Sequence, residues 1–290
     1  MRSVFFYLFS FLIIHSSFAE ERISYSREDS LRVVELLEKG SKEFSPKGAV
    51  GALTLFYARQ FMDRPYVGQT LEIKGKEEQL VINLQSLDCT TLVENVCALA
   101  LTTSHGSKSW KDFLYWLRKL RYDDGKLNGY SSRNHYFSQW IQSGTRQGIV
   151  REIEADRNIT VPMKLSLTYM SSHPDSYPLL KVDMEERRLI AEMEKRVSGA
   201  TVRYIPKERV GDSRKVLGCI HDGDILAITT NRAGLDIAHV GFAAWGKDGK
   251  LHLLNASSIH KKVVLEPMTL YQYMQKHSSQ TGIRVIRLQK

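Results

Sequence analysis

Apolar residues recur along this chain first at the three-to-four spacing of helices and then, past residue 200, at the alternation of strands. Leu31, Val34 and Leu37 lie behind Ser26-Arg27-Glu28-Asp29 and ahead of Gly40, which predicts an amphipathic helix with a serine cap and a glycine stop. A second, apolar helix is expected to open at Ser45-Pro46 and run through Phe61, since proline is tolerated in a first turn whose N–H groups lack partners anyway. After the irregular loop RPYVGQTLE, the run LVINL has the β-branched content of a strand at a sheet edge or on a packing flap. Residues 87–104 then place Leu92, Val93, Val96, Leu99 and Ala100 at helical spacing, predicting a helix with one buried face.

From residue 107 to about 199 the pattern stays largely helical, with the aromatic runs WKDFLYWLRKL and NHYFSQWI and the mixed-charge run VDMEERRLIAEMEKRV, whose alternating signs suit a solvated face. Short strands are expected at residues 201–205, 224–230, 237–245, 251–255, 262–265 and 283–288, with one helix over 267–276. Helices followed by an antiparallel sheet make an α+β layout. No repeat, low-complexity segment or polar linker divides it. Residues 20–290 are therefore expected to form one domain, with N-terminal helices over about 26–62 and a largely helical insertion over about 105–200.

The composition, 42% apolar and 25% charged over 290 residues, excludes collagen-like, coiled-coil and wholly disordered chains. Lys and Arg number 41 against 32 Asp and Glu, a formal +9. That charge favours polyanions, whether nucleic acid, anionic lipid or an acidic wall polymer, without choosing among them. The first residues narrow the choice. Arg2 precedes an apolar run over residues 4–14, and Ser17-Phe18-Ala19 puts small residues three and one positions before Glu20. This is the pattern of a secretory signal peptide over residues 1–19. The run falls well short of the roughly 20 residues that cross a bilayer, and no Cys follows it for lipid attachment. An exported protein is expected, without stable membrane insertion once the signal is cleaved, and export disfavours nucleic acid as a partner.

Export makes the cysteines informative, because Cys89, Cys97 and Cys219 are odd in number and leave at least one thiol unpaired within the chain. A free thiol in an oxidising compartment is either buried or reactive. Cys89 stands at the start of the 87–104 helix behind Asp88, a good N-cap, with Thr91 and Glu94 echoing a capping box one step later. The helix N-terminus favours thiolate there, while the Asp88 charge opposes it. Cys97 lies about 12 Å further along the same helix, too far to bridge, and shares the face of Val93 and Ala100 as a buried thiol.

Common catalytic motifs are absent. The stretch GFAAWGKD has the glycine spacing and lysine of a phosphate loop but ends in Asp248 and lies in a hairpin. No HExxH, GxGxxG, paired-cysteine zinc pattern or GxSxG elbow occurs, and the nine histidines lack metal-ligand spacing. Neither a metal nor a cofactor is expected. What remains is a thiol, an imidazole and an orienting group: Cys89, His239 in the strand IAHVGFAAW, and Asn255 at the end of LHLLNASS, on an adjacent strand. Asp236 and His252 are second-choice partners for His239.

In order along the chain stand Pro65-Tyr66, Asp88-Cys89, Gly223-Asp224, His239-Val240-Gly241 and Asn255-Ala256-Ser257. This set resembles the NlpC-type cell-wall cysteine peptidases of the papain-like group. DCTTLVENV, SSRNHYFSQW, LDIAHVGFA and GIRVIRL resemble more narrowly the N-acetylmuramoyl-L-alanine amidase-like branch, once catalogued only as a domain of unknown function. The resemblance covers about residues 50–290. It implies a papain-like fold with the cysteine at the N-terminus of a helix packed on an antiparallel sheet. Carried over residue by residue, it implies Cys89 as nucleophile, His239 as base and then acid, and Asn255 as orienter of the imidazole. Tyr66, Asp88, Arg133 and His135 are the implied substrate-binding residues. Two positions depart from the pattern: Asn255 stands where relatives often carry His, and Asp123, in RYDDG, where the branch usually has Arg.

The activity so implied is hydrolysis of the amide between the lactyl group of N-acetylmuramic acid and L-alanine in peptidoglycan fragments, through an acyl-enzyme on Cys89. A monomer is expected, its insertion walling the cleft in favour of small muropeptides. The alternatives are an endopeptidase cutting between γ-D-glutamate and the diamino acid of the stem peptide, and a non-catalytic murein-binding protein.

Overall fold

The computed structural model of the chain describes residues 22–46, 48–73 and 77–290; the signal peptide expected over residues 1–19 lies outside them. A short strand β1 (Ile23–Ser24) leads into helix α1 (Arg27–Glu43), where Ser26 Oγ accepts the Asp29 amide at 3.0 Å and the Asp29 carboxylate takes back the Ser26 N–H. The stripe that α1 buries is Val33, Leu36, Leu37 and Gly40, whereas Leu31 is 60% and Val34 36% exposed. Gly40 is not a stop but part of the contact: a Cβ there would collide with the Tyr57 hydroxyl, so only glycine lets the next helix approach. That helix, α2 (Val50–Arg59), starts at Val50 and not at Ser45-Pro46, because a turn closed by Gly48 N–H on the Ser45 carbonyl comes first.

The expected LVINL strand shrinks to β2 (Leu80–Val81), which pairs in parallel with β1, apart from the main sheet. Helix α3 (Cys89–Ser104) follows, and every residue from Thr91 to Ser104 is buried. One buried face was expected. In fact α1, α2 and α4 (Trp110–Arg121) pack on it from one side and the sheet from the other, the situation of a helix apolar on all sides. Glu94, instead of capping, forms an ion pair with Arg121 at 2.7 Å, the two side chains 2% and 1% exposed.

The insertion holds α5 (Phe137–Arg146), β3 (Val150–Glu152), β4 (Val161–Lys164), two short helices α6 (Tyr169–Ser172) and α7 (Pro178–Val182), and α8 (Met184–Val197). The largely helical reading therefore missed two strands. Pro162 is accommodated because β4 pairs on one side only. Tyr136, Leu165, Met170, Leu180, Ile190 and Met193 give the insertion its own apolar cluster.

The remaining strands are β5 (Thr201–Pro206), β6 (Ile225–Thr230), β7 (Ile237–Trp245), β8 (Leu251–Ser257), β9 (Lys262–Leu265) and β10 (Gln280–Leu288), with helix α9 (Leu270–Gln275) before the last. The sheet runs β4-β5-β10-β6-β7-β8-β9, antiparallel throughout, with β3 added alongside β10. Val240, Phe242, Leu254 and Ala256 face α3 in one core, while Leu226, Ile228, Ala243 and Leu253 meet Leu270, Tyr273 and Met274 in a second. A sheet covered on both faces explains why β6 reads ILAITT, apolar without strict alternation, and is buried at every residue. This α+β arrangement brings the start of α3 against β7.

Candidate active site

The site is assembled where α3 begins. Asp88 has extended backbone, and its Oδ1 accepts the Thr91 N–H and hydroxyl, both at 2.8 Å, while Thr91 Oγ1 accepts the Asp88 N–H at 2.9 Å. The capping box is thus Asp88 with Thr91, one step earlier than the Thr91–Glu94 pair. It holds Cys89 as the first helical residue, where the backbone N–H groups have no intrahelical acceptor.

Cys89 is partly buried, with the Thr90 hydroxyl 4.0 Å from Sγ. Burial first, and the Asp88 charge second, push its thiol from 9.0 up to about 11, against weaker help to the thiolate from the Val240 and Thr90 backbone. On β7, His239 has its Nε2 2.8 Å from Oδ1 of Asn255 on β8. Burial pushes the imidazole below its ordinary value, opposed by the Asn255 hydrogen bond and the charges of Glu266 and Asp88. Both shifts favour the uncharged forms, thiol and neutral imidazole.

Cys89, Thr90, His135, Phe137, Tyr177, Asp236 and His239 share the lining of a cavity of about 190 Å³. Asp236 is occupied by the Ser138 amide at 2.7 Å, and His252 points its Nδ1 at the Glu266 carbonyl, 3.2 Å away. Neither partners His239. Tyr66 is close enough that the Cys89 and Asp88 charges, after burial, raise its phenol. His135 bonds the Tyr130 carbonyl through Nε2 at 2.8 Å, and burial with the Arg133 charge pushes it down to about 3. A carbonyl only accepts, so that nitrogen carries the proton and Nδ1 is left as an acceptor.

Arg133 stands apart from this cavity. It is buried, stacks on the Tyr130 ring and pairs with Glu72 at 3.3 Å and Glu78 at 3.0 Å. Both glutamates line a larger cavity of about 930 Å³ beneath α7 and α8, which contains none of Cys89, His239 and Asn255. Asp123, in the position where Arg was expected, pairs with Arg146 and Arg196.

Two polar residues behind Asn255 went unnoticed in the sequence. Glu266 takes the Asn255 Nδ2 at 3.0 Å on one carboxylate oxygen and His260 Nε2 at 3.1 Å on the other. An acidic residue just past a short strand carries little signal by itself; only the β8–β9 register would have pointed to it.

Comparison with known proteins gives the family and the fold. A family model described as N-acetylmuramoyl-L-alanine amidase-like (AmiA-like) matches residues 57–283. An N-acetylmuramoyl-L-alanine amidase from Bacteroides uniformis is 42% identical with a TM-score of 0.78, over 84% of this chain and 100% of that one. A protein from Bacteroides fragilis, provisionally named a xylanase, is also 42% identical, with a TM-score of 0.74 over 80% and 99%. A Legionella pneumophila protein at 21% identity shares the fold, with a TM-score of 0.69 over 91% and 95%. No curated protein matches.

Proposed function

This chain belongs to the N-acetylmuramoyl-L-alanine amidase-like family, and from that premise we propose that it hydrolyses the lactyl–L-alanine amide of peptidoglycan fragments with Cys89 as nucleophile. The observation that carries the reading is the shared cavity of Cys89 and His239, with Asn255 bracing the imidazole at 2.8 Å. Ionising a thiol with a value of about 11 at pH 7 would by itself cost on the order of 5 kcal/mol. His239 Nδ1 therefore takes the proton as Sγ attacks the lactyl carbonyl carbon. The carbonyl oxygen becomes an oxyanion beside the N–H groups at the start of α3. Collapse breaks the C–N bond, His239 returns its proton to the leaving L-alanine amine, and a thioester remains on Cys89. Water, deprotonated by His239, attacks the thioester; the lactyl carboxylate leaves and the thiol is restored. His135 offers Nδ1 to a substrate N–H or O–H, and Tyr66 lines the approach to sulfur.

The reading extends to an NlpC-type, papain-like architecture, to export to the periplasm through a leader over residues 1–19, and to small muropeptides as the favoured substrates. The xylanase name of one relative finds no support in this cavity, since glycoside hydrolysis ordinarily uses two facing carboxyls and, among the described residues, Asp236 is the only carboxylate in its lining. Mass spectrometry of defined muropeptides after incubation with the protein and with Cys89→Ala is the test. Free stem peptide plus sugar, absent with Cys89→Ala, is expected. A cut after γ-D-glutamate would make the protein an endopeptidase, and no cleavage by either form would make it a murein-binding protein. Equal turnover of sacculi and fragments would defeat the preference for fragments.

A further inference from the structure

Asn255 is fully buried, and its amide has one accepting and one donating end. The accepting Oδ1 faces His239 Nε2 at 2.8 Å and the donating Nδ2 faces Glu266 Oε1 at 3.0 Å. Glu266 is itself 1% exposed, and His260 Nε2 satisfies its second oxygen at 3.1 Å. A carboxylate only accepts, so it keeps the Asn255 NH2 turned toward itself and the amide oxygen toward the imidazole. That oxygen also only accepts, so Nε2 must carry the imidazole proton and Nδ1 the lone pair, which is the state a base needs.

We infer that Glu266 is a positioning residue that selects the Nε2–H tautomer of His239 by fixing the orientation of the Asn255 amide. The inference rests on reading Cys89 and His239 as the reacting pair. The fold builds the contact. In the β8–β9 register Leu254 stands opposite Leu265, and Glu266, whose N–H bonds the Leu253 carbonyl at 2.8 Å, comes opposite Leu253. Leu253 and Asn255 are two residues apart on one strand, so Glu266 is the diagonal neighbour of Asn255 on the same face. The Glu266 charge also favours a protonated His239, the form reached once sulfur has given up its proton.

Glu266→Gln keeps the size but presents either an oxygen or an NH2, so the Asn255 amide can turn over and His239 can move to Nδ1–H. Nitrogen-15 NMR of histidine-labelled protein, with His239 assigned from the His239→Gln spectrum, reads the tautomer without turnover. The wild type is expected to show Nε2–H; finding Nδ1–H there would refute the inference even if Glu266→Gln failed to fold. In Glu266→Gln the signal is expected to shift toward Nδ1–H, with kcat on a muropeptide down about 10- to 100-fold, the range seen for outer-shell partners of metal-ligating histidines, and KM little changed. In an Asn255→Ala background the same substitution should change kcat less than about twofold, because its route is gone. An unmoved tautomer in Glu266→Gln, or an undiminished loss of kcat in the Asn255→Ala background, overturns the inference. Turnover by Cys89→Ala would instead defeat the catalytic reading, whatever tautomer His239 holds.

Discussion

Alkylation of Cys89 by iodoacetamide tests the electrostatics of the site most directly. The thiol is raised from 9.0 to about 11, two units, so at pH 7.5 its thiolate fraction is about 100-fold below that of an unperturbed cysteine. A more basic thiolate is also a better nucleophile, by about tenfold over two units, which leaves Cys89 about tenfold slower than free cysteine. A raised value means reactivity is lost below it and recovered above it, so the rate should climb about tenfold per pH unit from 7 to 10 without a plateau. Asp88→Asn keeps an amide oxygen to cap α3 but removes the second cause of the shift. A lost neighbouring charge lowers the value by about one unit and should speed alkylation at pH 7.5 about threefold after the nucleophilicity offset. The rate is read by mass spectrometry on the Cys89 peptide, which separates it from Cys219 and buried Cys97. A plateau between pH 5 and 8 that disappears in His239→Gln would reveal a preformed thiolate–imidazolium pair and refute the neutral resting state.

Other substitutions probe other levels of the structure. Asn255→Ala removes the acceptor that orients His239 and should lower kcat by about 10²- to 10⁴-fold in steady-state assays, with KM nearly unchanged. Arg121→Met strands the Glu94 carboxylate inside the core and should cost about 3–5 kcal/mol in urea unfolding, most of it recovered by adding Glu94→Leu. Gly40→Ala drives a methyl group into the Tyr57 hydroxyl; a loss of about 1–3 kcal/mol is expected, relieved in part by Tyr57→Phe. His135→Phe removes a neutral acceptor from the cavity, and KM is expected to rise several-fold with kcat held.

Strand and helix starts were legible where local chemistry is decisive. The ranges 237–245 and 262–265 are met residue for residue by β7 and β9, because turn residues bracket runs whose apolar and β-branched side chains suit no other state. Asp88 announced the start of α3 and so the place of Cys89 in its first turn. Legibility failed where two elements share a decision. The buried stripe of α1 depends on how closely Tyr57 approaches Gly40, and β3 and β4 are strands because β10 and β5 offer them partners. Arg133, a substrate-binding residue by the resemblance, is paired with Glu72 and Glu78, far away along the chain, which no local pattern announces.

The sequence by itself therefore determined the α+β layout, the thiol on a helix start and the neighbourhood of His239 with Asn255, since periodicity, capping and hairpin connection are local rules. Only the tertiary structure decided that α3 is buried from Thr91 to Ser104, that burial raises the Cys89 thiol and lowers the His239 imidazole, and that a carboxylate stands behind the asparagine. Desolvation and diagonal cross-strand contacts are properties of what surrounds a residue, and no neighbour in sequence reports them.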